Sequence, residues 1–112
     1  MLNKKNRLTK NKDFERVFNK GKAAHLKELG VKCIKNDFKE PRFGFLISTK
    51  ISKSAVKRNK LKRQLSEIIR LNLEKIKPGY DCAVITRSGV LDKNYEELEK
   101  MLKLLFKKLK LI

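Results

Sequence analysis

The stretch R-F-G-F-L-I-S-T, Arg42 to Thr49, reads as a well-buried strand, and it stands directly before the most charged segment of the chain. Its flanks set the fold class. Upstream, L-G-V-K-C-I, Leu29 to Ile34, alternates apolar with other residues as a half-buried strand does. The link between them, N-D-F-K-E-P, is turn-like and ends on Pro41, so the two strands are predicted to form a hairpin. Downstream, Ile51 to Val56 is a candidate short third strand. Leu61, Leu65, Ile68 and Ile69, with Leu73 beyond, then recur at helical spacing and predict a helix from about Lys57 to Glu74. Pro78-Gly79 breaks the chain before Y-D-C-A-V-I-T, Tyr80 to Thr86, which reads as a further strand.

Outward from this centre the pattern is helical. Asn11 is expected to cap a first helix, with Asp13 and Glu15 in its first turn and Phe14, Val17 and Phe18 on one face. Gly21 is placed to close it. After a loop from Arg87 to Lys93, Asn94 is expected to cap a last helix, with Glu97 three residues on as in a capping box. In that helix Leu98, Met101, Leu102, Leu105, Phe106 and Leu109 keep the helical period. There is no internal repeat and no linker. The expectation is one α+β domain over 1–112, in the order α-β-β-β-α-β-α with about four strands, preceded by a basic arm at 1–10.

Composition narrows the function. The 112 residues carry 30 Lys and Arg against 12 Asp and Glu, a net charge of +18. With 40% hydrophobic residues the chain can still build a modest core. Such a charge suits a polyanionic partner, nucleic acid first and an anionic membrane second. No apolar run is long enough to span a bilayer, and the basic N-terminus has no apolar stretch behind it, so a cytoplasmic location is expected. Cys33 and Cys82 lack a CxxC pair and are expected to stay reduced and pack as small apolar groups, while His25 is expected in a loop. One histidine and two separated cysteines make neither a zinc site nor a nucleophilic triad, and no residue is assigned a catalytic role. The lysines of the last helix would suit a membrane surface, but its apolar stripe is needed to seal the sheet of so small a domain.

Charge concentrates in K-I-S-K-S-A-V-K-R-N-K-L-K-R, Lys50 to Arg63, where seven cations meet no acid. Most of them sit at the start of a helix, where the dipole prefers negative charge, so stability does not account for them. A phosphate-binding surface does, with free backbone N–H groups adding to the side chains. Arg58 and Arg63 can fork onto phosphate, the lysines act as point charges, and Asn59 can bond a base edge or a 2′-hydroxyl.

This run, A-V-K-R-N-K-L-K-R-Q-L from Ala55 to Leu65, closely resembles the Arg-Asn-Arg signature of the protein component of bacterial ribonuclease P. N-R-L-T-K-N-K-D-F-E-R-V-F-N-K-G, Asn6 to Gly21, is similar to the first helix of that family. R-F-G-F-L-I-S-T-K, Arg42 to Lys50, is similar to its central strand and G-Y-D-C-A-V-I-T-R, Gly79 to Arg87, to its last strand. The matches keep the family's order over nearly the whole chain.

The resemblance implies a mixed sheet of the ribosomal protein S5 domain 2-like type, with a left-handed strand-helix-strand crossover. It implies an RNA-binding subunit that supports a catalytic RNA in removing the 5′ leader from precursor tRNA, with Mg2+ at the RNA active site and no metal on protein side chains. No membrane and no small-molecule substrate are implied as partners. Lys57, Arg58, Asn59, Lys60, Lys62 and Arg63 would contact the catalytic RNA. Phe14 and Phe18, with Ser48, Lys50 and Lys53 near the strand end, would line a cleft for the single-stranded leader. Three positions depart from the family: Thr49 within Ser-Lys-Lys, Lys60 for the last arginine of the signature, and Lys32 where a cleft aromatic is common. The rival expectation is a structural RNA-binding protein, ribosomal or chaperone, with no part in cleavage.

Overall fold

The computed structural model describes residues 2–112. Helix α1 (Asn11–Lys20) is followed by strands β1 (Lys22–His25), β2 (Leu29–Lys35) and β3 (Arg42–Leu46), helix α2 (Ala55–Leu71), strand β4 (Tyr80–Thr86) and helix α3 (Tyr95–Lys108). The predicted α+β build with four strands and three helices is what forms, although one of the four strands is a different one. Ile51 to Val56 makes no strand: Ile51 turns back onto the Ser48 carbonyl, and Ser54 caps α2 through its hydroxyl, which accepts from the Lys57 N–H. The strand that replaces it is β1. Its sequence, K-A-A-H, has no β-branched residue and no Phe, Tyr or Trp to announce it, and it exists because it pairs with β2. His25 is therefore the last residue of a strand rather than part of a loop.

The predicted hairpin between β2 and β3 does not form either. The sheet order is β1-β2-β4-β3, with β4 antiparallel to β2 and parallel to β3. The reason lies in β4, whose residues 81–84 are buried on both faces of the sheet, as only a central strand is. It takes the middle and separates its neighbours. The edge that β3 would expose is shielded by the N-terminal segment, where the Leu8 N–H bonds the Phe43 carbonyl and Leu2, Asn6 and Leu8 are buried.

Helix ends differ from expectation by small shifts. Lys10 rather than Asn11 stands at the start of α1, with no side-chain cap. Helix α2 ends at Leu71, and a 3-10 turn at Leu73–Lys75 follows. Asn94 and Glu97 make the expected capping box in both directions. Gly21 ends α1 at an ordinary negative φ, so its value is space: a Cβ there would run into the Val17 and Cys33 carbonyls.

One sheet face carries the main core. Leu29, Val31, Phe43, Cys82 and Val84 meet Leu61, Leu65 and Ile68 of α2 and Leu98, Leu102 and Leu105 of α3. The stripe of α3 thus seals the sheet. Cys33 and Cys82 are buried, not joined by a disulfide, and directly opposite each other in the β2–β4 register. The other face carries a smaller cluster of Leu8, Val17 and Ala83, with Phe14, Phe18 and Ile34 around it, under α1 alone.

Candidate nucleic-acid interface

The register resolves the α1 face into rows running across the strands. Arg42, Asp81 and Ile34 form one row, and Gly44, Ala83 and Lys32 the next. Helix α1 covers both. Phe14 lies on Gly44 so closely that an added Cβ would overlap its ring, and Phe14 and Phe18 stack at 6.5 Å. The third row, Leu46, Ile85 and Gly30, lies outside the cluster packed under α1: Leu46 is 37% exposed, Ile85 half-buried and Gly30 buried. Two residues beyond Leu46, Ser48 begins the exposed connection that also carries Lys50 and Lys53. Phe14 and Phe18 thus stand beside this row and Ser48 follows it along the chain, while Lys50 lines a separate cleft with Ser88, Gly89 and Asp92. Gly44→Ala is expected to cost about 2 kcal/mol by overpacking and to lower Tm by about 10 °C. A melting curve compared with wild type checks it, and an unchanged Tm would mean that Phe14 moves aside freely.

Lys32 replaces stacking surface with charge, yet it is not idle. Its ammonium sits 5.5 Å from the Phe18 ring centroid and donates to the Phe18 carbonyl. The lysine presents a cation on the outer side of the aromatic pair.

Helix α1 is held down by a buried charge network. Asp81 is fully buried, accepts two bonds from Arg42 at 2.6 and 2.8 Å, one from Arg16 at 2.7 Å and one from Asn36 at 2.9 Å. Burial pushes its carboxyl up, but the bonds from Arg42, Asn36 and Arg16 together outweigh this and hold it below the usual carboxylate range. The sequence reading missed Arg16, Asn36 and Asp81. An aspartate inside an apolar strand was the available signal.

On α2 the predicted RNA contacts do not share one direction. At 3.6 residues per turn a run of seven encircles the helix. Lys57 and Lys60 line a 620 Å³ groove facing the loop at 90–95, Asn59 and Arg63 are exposed, and Lys62 lines a different cleft of 340 Å³. That second cleft also holds Arg7, Thr9, Phe14 and Phe45, so Lys62 faces the neighbourhood of the α1 aromatics. Arg58 is half-buried and donates to the Ser52 carbonyl at 2.7 Å, which ties down the turn before the helix. The Lys57 N–H, expected to be free for phosphate, is taken by Ser54. No acid lies in the first turn of α2. Among the described residues no cluster of three metal-ligating side chains forms, and no helix is long and apolar enough to cross a membrane.

Comparison with known proteins matches this arrangement to a family. The family model described as Ribonuclease P matches residues 2–110. The ribonuclease P protein component of Alkaliphilus oremlandii is 41% identical over 96% of this chain and 93% of its own length. That of a Clostridium botulinum strain is 42% identical over 94% and 95%. Among solved structures, the Staphylococcus aureus RNase P protein superimposes with a TM-score of 0.87 at 29% identity, covering 95% of this chain and 96% of that one. The Thermotoga maritima RNase P protein gives 0.81 at 31% identity, covering 90% and 96%.

Proposed function

The chain belongs to the ribonuclease P protein family, as the subunit that supports RNA-catalysed 5′ processing of tRNA, and from that premise we propose how its surface is divided between two RNAs. The catalytic RNA docks on the outer side of α2, where Asn59, Lys60 and Arg63 are exposed and no acid opposes phosphate. The 5′ leader of the precursor lies on the strip between α1 and the connection after β3. There Phe14 and Phe18 give stacking surface, Ser48 a hydroxyl, and Lys50, Lys53 and Lys32 charge. The observation that carries this reading is the Phe14–Phe18 pair with Lys32 at its side, next to a sheet row in which Leu46 is exposed and Ile85 half-buried.

In this division the metal ions of the reaction belong to the RNA, and the protein supplies charge and grip in the bacterial cytoplasm. Lys62, which lines the cleft with Phe14, stands between the two surfaces and serves the tRNA side. Arg58 acts in part through the turn it ties, so its replacement reports on more than phosphate contact.

The test is cleavage of precursor tRNA by a bacterial ribonuclease P RNA at low magnesium, with and without the protein. The protein is expected to restore cleavage at the mature 5′ end. Phe18→Ala is expected to weaken precursor binding by the holoenzyme about tenfold while leaving assembly with the catalytic RNA unchanged. Equal losses in both assays would remove the two-surface division. RNA binding without restored cleavage would favour the purely structural RNA-binding role.

A further inference from the structure

The third row does not stop at Gly30. In the β1–β2 register Gly30 pairs with His25, so the row runs Leu46, Ile85, Gly30, His25 across all four strands. Neighbouring strands lie about 4.8 Å apart, so three steps carry it about 14 Å from β3 to the sheet edge. His25 leans toward Gly30: a Cβ built on that glycine would come within 3.2 Å of His25 Nδ1. The absent side chain of Gly30 thus makes room for the imidazole on the α1 face, and the ring remains exposed there. It is held at that place because the tight β1–β2 connection closes with the Leu26 N–H bonded to the Leu29 carbonyl.

From this geometry, and resting on the leader reading above, we propose that His25 is the far contact of the leader, a stacking platform for a base upstream of those held beside Ser48 and Phe14. An imidazole offers a π-face to any base, so the contact is tolerant of leader sequence. The direction follows from the two surfaces. Cleavage takes place on the catalytic RNA, which docks at α2, and the connection through Ser48 and Lys50 leads directly into α2. Nucleotides next to the scissile bond therefore lie at the Leu46 end of the row, and His25 meets only a leader long enough to cross the sheet.

The experiment uses holoenzyme assembled with a bacterial ribonuclease P RNA and two precursors, one with a leader of roughly two nucleotides and one of roughly ten, given the reach set by the strand spacing. His25→Ala is expected to weaken binding of the long-leader precursor about fivefold and to leave the short-leader precursor unchanged. His25→Phe, which keeps a ring, is expected to retain long-leader affinity. A folding defect would instead lower both substrates together. Equal affinity of His25→Ala and wild type for the long leader would overturn the proposal, as would loss with His25→Phe equal to that with alanine. Phe18→Ala separates this from the underlying reading. If Phe18→Ala weakens long-leader binding and His25→Ala does not, only the His25 contact falls. If neither does, the leader reading falls with it.

Discussion

Arg42→Met is expected to lower stability by about 3 kcal/mol, the typical cost of removing one partner from a buried ion pair, and Tm by about 15 °C. The side chain of Asp81 is 0% exposed, and Arg42 grips both of its oxygens while itself only 16% exposed. Methionine keeps the apolar stem but leaves the carboxylate short of its bidentate partner. Arg16 and Asn36 remain and keep the loss from being larger. Because Arg16 comes from α1 and Arg42 from β3, the same network seats α1 on the sheet, so leader binding is expected to fall along with stability.

The pH dependence gives an internal check. Asp81 titrates below the usual carboxylate range in the folded protein, so its contribution is complete above the unfolded value of about 3.9 and is lost as pH falls through the lower folded value. The stability gap between wild type and Arg42→Met should therefore be widest near neutral pH and narrow in acid. Denaturant unfolding at several pH values reads it, and a gap that stays constant into strong acid would show that the carboxylate is not its source.

The second large effect concerns assembly. Replacing Lys60 and Arg63 together with alanine is expected to weaken binding to the catalytic RNA about a hundredfold, at charge-assisted bond strengths of about 1.5 kcal/mol each. More telling is the salt dependence: two phosphate contacts fewer should make the slope of log affinity against log salt shallower by about 1.5. Arg70→Ala on the same helix serves as the control, since Arg70 is engaged by Glu67 three residues before it. A slope unchanged in the double variant would place the catalytic RNA elsewhere on the protein.

Much of this molecule is legible in its sequence because local rules act locally. The apolar stripes of α2 and α3, the capping box at Asn94 and Glu97, and the basic run without acids all depend on neighbours within four residues. The basic run, with the motifs of the first helix and of the central and last strands in their order along the chain, was also enough to reveal the family. The resemblance named the site residues on α1 and after β3 and implied a shared cleft, but the strand pairing beneath them could not be read from the sequence. Lys62 illustrates the gap, grouped by sequence with Arg63 yet facing the cleft of Phe14.

Strand order and register were decided by the tertiary structure alone. Residues 36–41 look like a hairpin turn in isolation, but β4, arriving 34 residues after β3 ends, outcompetes that pairing because only the centre of the sheet can bury its residues 81–84 on both faces. β1 exists only as the partner of β2, with a sequence too plain to be read as a strand. These pairings place Leu46, Ile85, Gly30 and His25 in one line, and bring Arg16, Arg42 and Asn36 onto Asp81. The charge, the helices and the family follow from residues close in sequence. That line and the network beside it follow from hydrogen bonds between residues far apart, whose partners are chosen by what the whole fold can bury.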